Sequence, residues 1–315
     1  MKTTDIERYI TDYSRIASGN KINFEKLCAV LSQMQQAGID CILLKGADLI
    51  HRLYGVLGVR PLGDDADLLV HESDLPALDY LLAQLGYRPR IDGNPAYVDP
   101  GNTLALDIIT KVWYVDDQTV IWQRTVQRDF EGVPVKGLGR NDLLVYLTAY
   151  NVVHRGYLSA SFARDIAFLV EKEDMDWDFV LDEASRCHLK IPLYHGLTFV
   201  VSRYAGVPIP DHALRSLAPA TVSERLWYWF FQKLVTDKPV VGLGHLLLFL
   251  TQPGLKKWCW LSDIFFPPAA FLTYRYGDKC DTHTITTRLC RPFSLLFQAV
   301  TLFTRIVRLQ ITRRV

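Results

Sequence analysis

Gly63-Asp64-Asp65-Ala66-Asp67-Leu68-Leu69-Val70 sets three carboxylates within four positions and then runs straight into apolar residues. The apolar half, 66–70, reads as a buried strand. Side chains alternate along a strand, so Asp65 and Asp67 point to the same side. Two carboxylates held side by side repel each other, and a divalent cation between them is the usual remedy. Like charges at a strand end cost free energy, so folding alone gives no reason to place them there. The pattern marks a metal site, with Asp64 assigned to the turn before it.

The flanks extend this reading. Upstream, 5–37 has helical periodicity, with Phe24, Leu27, Val30, Leu31 and Met34 on one face and Gly38 as a stop. Cys41-Ile42-Leu43-Leu44 suits a short buried strand, followed by Lys45-Gly46 and a helix over about 47–54. Gly55, Gly58, Pro61 and Gly63 make a loop. Downstream, Ser73 or Asp74 caps a helix with Pro76 in its first turn, which turns Leu75, Leu78, Leu82 and Leu85 to the core and stops at Gly86. Short strands and turns fill 87–120, punctuated by Pro89, Gly93, Pro95, Pro100 and Gly101. Within 103–109, Leu104, Leu106 and Ile108 alternate with Ala105, Asp107 and Ile109, so one carboxylate interrupts an apolar face. From Asn141, read as an N-cap, the chain is mainly helical, over 142–153, 162–171, 178–187, 193–205 and 222–235. Asp176-Trp177-Asp178-Phe179 reads as a helix entry. The expected division is 1–140 and 141–315.

Composition excludes several classes. The 315 residues carry a formal charge of +1, which argues against nonspecific nucleic-acid binding. Six scattered cysteines without a Cys-x-x-Cys pair suggest neither a zinc knuckle nor a disulfide framework, but reduced thiols in the cytosol. The polar, acidic start is unlike a signal peptide, and no apolar run reaches the roughly 18 residues of a membrane span. A cytoplasmic protein is expected. In 292–315, Leu295, Leu296, Ala299, Leu302, Phe303, Ile306 and Leu309 recur at helical spacing beside Arg305, Arg308, Arg313 and Arg314. That segment reads as a packed terminal helix or a weak membrane anchor. Trp258-Cys259-Trp260 and the aromatics between Phe265 and Tyr276 read as core. His154 is read as a hydrogen-bonded core histidine, and Asp165 as a packing or ion-pair residue.

Leu44-Lys45-Gly46, Arg60-Pro61, Asp65-Ala66-Asp67-Leu68-Leu69-Val70 and Leu106-Asp107 together resemble the uncharacterised nucleotidyltransferase family of the DNA polymerase β-like superfamily. Arg164-Asp165-Ile166, Asp176-Trp177-Asp178 and Phe265-Phe266-Pro267-Pro268 extend the resemblance over most of the chain. It implies an α+β fold, with a mixed-sheet nucleotidyltransferase core flanked by helices and then a helical C-terminal region that binds the acceptor. It implies Asp65 and Asp67 as ligands of two Mg²⁺ ions, which in such sites stand about 3.5–4 Å apart. Asp107 would be the third ligand and would help deprotonate the attacking hydroxyl. Gly46 would admit a phosphate close to the backbone, Arg60 would add a bidentate contact, and Lys45 would serve either a phosphate or a structural salt bridge. The implied co-substrate is an NTP such as ATP, and the implied acceptor is a small molecule, an RNA or a protein. The chain departs from the pattern in two ways. Arg60-Pro61 stands one residue further from the acids than expected, which would make Asp64 the first ligand if aligned from that side. Ile108-Ile109-Thr110 also stands where the family often has a histidine. A metal-dependent phosphoesterase and a non-catalytic scaffold or peripheral membrane protein are the alternative readings.

Overall fold

The computed structural model describes residues 3–63, 65–90, 96–240 and 242–251, and beyond them only 258, 262, 265, 266, 293, 297, 300, 301 and 304. Two compact units divide the chain, Met1–Gly139 and Arg140–Val315. The first is α+β. Its mixed sheet contains β1 (Cys41–Leu44), β2 (Asp65–Val70), β3 (Arg88–Arg90), β4 (Ala96–Val98), β5 (Ala105–Ile109), β6 (Val126–Phe130) and β7 (Val133–Gly137). Their order across the sheet is β3-β4-β5-β2-β1-β7-β6. The β2–β5 and β1–β7 pairs are parallel and the other four are antiparallel.

One face of the sheet is closed by α1 (Thr3–Gln36) and α3 (Leu75–Gln84). Phe24, Leu27, Val30, Leu31 and Met34 from α1, with Leu78 and Leu82 from α3, form one buried cluster with Ala66, Leu68, Val70, Leu104, Leu106 and Ile108. The even-numbered residues of β2 and β5 therefore face this core, which turns Asp65, Asp67 and Asp107 to the opposite face. α1 ends as its sequence indicates. Gly38 takes a left-handed φ of 71°, and the Ile39 N–H reaches back to the Met34 carbonyl at 2.9 Å.

Several boundaries differ from the sequence reading. The helix after β1 begins two residues early, as α2 (Lys45–Leu49), and continues as a wider turn over Ile50–Tyr54, where the Gly55 N–H meets the carbonyl five residues back. Neither Ser73 nor Asp74 caps α3. A tight turn (Glu72–Asp74) leads in, and the Asp74 side chain makes no capping bond. α4 (Gln118–Gln123) begins inside the stretch read as short strands and turns, and the β6–β7 hairpin lies between 121 and 140, where the sequence reading places no element.

The second unit is helical among its described residues: α5 (Arg140–Ala149), α6 (Ala160–Lys172), α7 (Trp177–Arg186), α8 (Lys190–Arg203), α9 (Asp211–Leu217), α10 (Val222–Leu234) and α11 (Leu243–Thr251). Asn141 is not an N-cap. It lies inside the first turn of α5, and its Oδ1 accepts the Asp176 N–H at 3.1 Å. Asp176 does cap α7, accepting from the Phe179 N–H at 3.0 Å. His154 is half-buried and stacks on Tyr150 at 4.9 Å, so it is not a core histidine. Asp165 is buried in α6. Cys41 and Cys187 are buried free thiols, and Cys28 is half-buried. Asp64, Cys259, Cys280, Cys290 and most of 252–315 lie outside the described residues, and with them most of the C-terminal helix reading. Among the described residues no helix is long and apolar enough to cross a membrane.

Candidate active site

The sheet register assembles the acids. β2 and β5 run parallel with Asp67 opposite Asp107 and Asp65 opposite Ala105. Paired residues share a face, and so do residues two apart on one strand, so all three carboxylates project together. One oxygen from each lies within 4.8 Å of the others. Asp65 is exposed, Asp107 half-buried and Asp67 buried. On the other side of β2, Leu44 pairs with Asp67, so β1 ends beside the acids and delivers Lys45 to them.

Lys45 Nζ stands 2.5 Å from Asp67 Oδ1, and both side chains are largely shielded from water. Its backbone has φ 50°, a left-handed conformation that favours glycine. Burial above all, with the neighbouring Asp65 and Asp107, raises the Asp67 carboxyl to about 6 against the opposing pull of Lys45. Lys45 brings one positive charge to three carboxylates. The cluster remains anionic, its donors are all oxygen, and they sit close enough to share a cation. Such a donor set suits a hard divalent ion such as Mg²⁺.

The loop carrying Arg60 is clamped to α1. Asn20, buried in that helix, donates Nδ2 to the Leu57 carbonyl at 2.6 Å and the Arg60 carbonyl at 2.8 Å. Its Oδ1 accepts the Leu62 N–H at 2.8 Å. The same loop packs against Gly46. A Cβ there would stand 3.0 Å from Arg60 Nη1 and 3.2 Å from the Leu62 carbonyl, so a larger residue at 46 would have to push the loop back by a few tenths of an ångström. The half-buried Arg60 guanidinium is thereby brought against α2, with Nη1 also donating to the Pro61 carbonyl at 3.2 Å.

Beneath Lys45, α2 is pinned by buried charge. Asp48 Oδ2 accepts from Arg52 Nη1 at 3.2 Å, Asp48 Oδ1 lies 3.4 Å from Arg128 Nε on β6, and Arg52 Nη1 also donates to the Leu138 carbonyl at 2.8 Å. At the start of β5, the buried Asp99 fixes the turn from β4. It accepts the N–H groups of Thr103 and Leu104 at 2.6 and 2.8 Å and pairs with Lys26 of α1.

Of the residues expected from sequence, Asp65, Asp67 and Asp107 meet in one cluster with Lys45 against it, and Gly46 touches Arg60. Asn20, Asp48, Asp99 and Arg128 were missed as positioning residues. A polar Asn20 four residues before Phe24, on the apolar face of α1, was the signal available for the first.

A sequence profile described as uncharacterised nucleotidyltransferase matches residues 5–205, a span that contains every candidate residue above. No curated protein matches the chain. Among solved structures, an antigenic nucleotidyltransferase-like protein from Paracoccidioides brasiliensis is 16% identical, with a TM-score of 0.45 over 62% of this chain and 94% of that one. The antibiotic-resistance factor ANT(2'')-Ia is 12% identical, with a TM-score of 0.40 over 59% of this chain and 100% of that one. With most of its length matched by that profile, the chain belongs to the uncharacterised nucleotidyltransferase family.

Proposed function

We propose that this protein is a Mg²⁺-dependent nucleotidyltransferase, which moves a nucleoside monophosphate from an NTP to an acceptor hydroxyl and releases pyrophosphate. The observation that carries the reading is the meeting of Asp65, Asp67 and Asp107 within 4.8 Å. Those carboxylates would hold Mg²⁺, which supplies charge neutralisation and Lewis acidity at the α-phosphate. Asp65 and Asp67, fixed on one face of β2, set where the triphosphate lies. Asp107 receives the proton of the acceptor hydroxyl as its oxygen forms a bond to the α-phosphorus. The bond between the α-phosphorus and the bridging oxygen breaks, and pyrophosphate leaves with the electron pair. Arg60 offers a planar fork to phosphate oxygens and Lys45 a point charge. The region 141–315 selects the acceptor, whether a small molecule, an RNA or a protein.

The test uses NTPs labelled on the α-phosphate, Mg²⁺ and cell extract. The label moves to an acceptor with stoichiometric pyrophosphate, and the Asp65→Asn, Asp67→Asn double variant transfers none while keeping its circular dichroism spectrum. Release of inorganic phosphate without label transfer would instead indicate a phosphoesterase. Transfer undiminished in the double variant would contradict the assignment.

A further inference from the structure

We propose that Lys45 is a placeholder for the metal: its ammonium occupies the cation position at Asp67 until nucleotide arrives, so that metal and NTP bind together. This rests on the nucleotidyl-transfer reading and deepens it. Two observations at Lys45 carry it. Its Nζ lies 2.5 Å from Asp67 Oδ1, the most buried of the three carboxylates, where a metal sharing that oxygen would have to displace it. Its backbone is left-handed, with φ 50°, at a strand-to-helix junction where glycine would cost less. Gly46 stands one position later and is not left-handed. The fold thus tolerates a strained lysine at the position that delivers a side chain to Asp67, and strain of this kind collects at functional switches.

The charges supply the exchange. Without ligand, the ammonium offsets part of the repulsion among three carboxylates, and a divalent ion entering alone must compete with it. A triphosphate arriving with the metal offers the ammonium a new anionic partner. Lys45 can then leave Asp67 for the phosphates while the metal takes the carboxylate oxygen. Metal binding alone is weakened, and binding of metal with NTP is not. The consequence is an enzyme that does not fill its centre with free divalent ions.

The full chain is titrated with Mn²⁺, followed by electron paramagnetic resonance, with and without a non-hydrolysable NTP analogue. Lys45→Met and Lys45→Gln should tighten nucleotide-free Mn²⁺ binding about tenfold, a change of roughly 1.4 kcal/mol, and weaken analogue binding. Lys45→Arg, which keeps the charge, should behave as the wild type. Should the neutral variants fail to fold, acylation of Lys45 in the wild-type chain is read by peptide mass spectrometry. It should stay low at millimolar Mg²⁺ alone, rise only when Mg²⁺ alone is raised to saturation, and fall again when the analogue is added. Nucleotide-free Mn²⁺ affinity unchanged or weaker in the neutral variants, or Lys45 acylation that does not rise even at saturating Mg²⁺, would overturn the placeholder role while leaving nucleotidyl transfer intact. Absence of Mn²⁺ binding even with the analogue would overturn both.

Discussion

Asp99 shows how a single side chain sets the position of another. Burial opposes its charge, but the N–H groups of Leu104 and Thr103 and the Lys26 ammonium outweigh that and hold the carboxyl at about 2. An unfolded aspartate titrates near 3.9. The folded value is the lower one, so this contribution is fully present above about pH 4 and disappears as the pH falls toward 2. We expect the unfolding free energy of the wild type to drop over that interval and that of Asp99→Asn to drop by about 2 kcal/mol less. Denaturant titrations at several pH values measure the difference. Nothing near Asp99 in the sequence advertised this, because a lone aspartate between Val98 and Pro100 looks like any turn residue. Asp107 was legible for the opposite reason, as a carboxylate breaking an apolar alternation. Asp65 and Asp67 were legible because strand geometry fixes their common face whatever surrounds them. Lys45 was legible as a candidate, while its pairing with Asp67 was not, since that contact depends on which strands lie side by side.

At the scale of elements, the central strands were readable and the edge hairpin was not. β1 and β2 are buried nearly throughout; β1 spells a continuous apolar run, and β2 ends in one, Leu68-Leu69-Val70. β6 is an edge strand, exposed or half-exposed except at Phe130, so no hydrophobic period marks it. β7 alternates buried Val133 and Val135 with exposed Pro134, and a proline argues against a strand when the sequence is read alone. Pro134 is accommodated because β1 pairs with β7 only at Lys136 and Gly137, beyond the proline. The hairpin matters to the site, since Arg128 and the Leu138 carbonyl hold the Asp48–Arg52 pair under α2. Removing one partner of a buried ion pair strands the other, so Asp48→Ala should destabilise the protein by about 3 kcal/mol. Arg128→Met should cost less, because that side chain is partly exposed. Chemical denaturation of both variants decides the order, and equal losses would contradict the anchoring described for α2.

For the whole molecule, fold class and family were legible because the decisive residues lie on three adjacent strands, β1, β2 and β5. Their motifs, spread over about sixty residues of sequence, become one cluster only through the order β5-β2-β1. The pairing order itself was not readable from residues, since a parallel β2–β5 contact joins strands separated by α3, β3 and β4. The resemblance implied a mixed sheet but no strand order. The meeting of Asp65, Asp67 and Asp107 within 4.8 Å is the central claim, and Mn²⁺ stoichiometry tests it directly. Electron paramagnetic resonance of the full chain with a non-hydrolysable NTP should show saturable Mn²⁺ binding that the folded Asp65→Asn, Asp67→Asn variant lacks. Equal Mn²⁺ binding by the wild type and that variant would contradict the account.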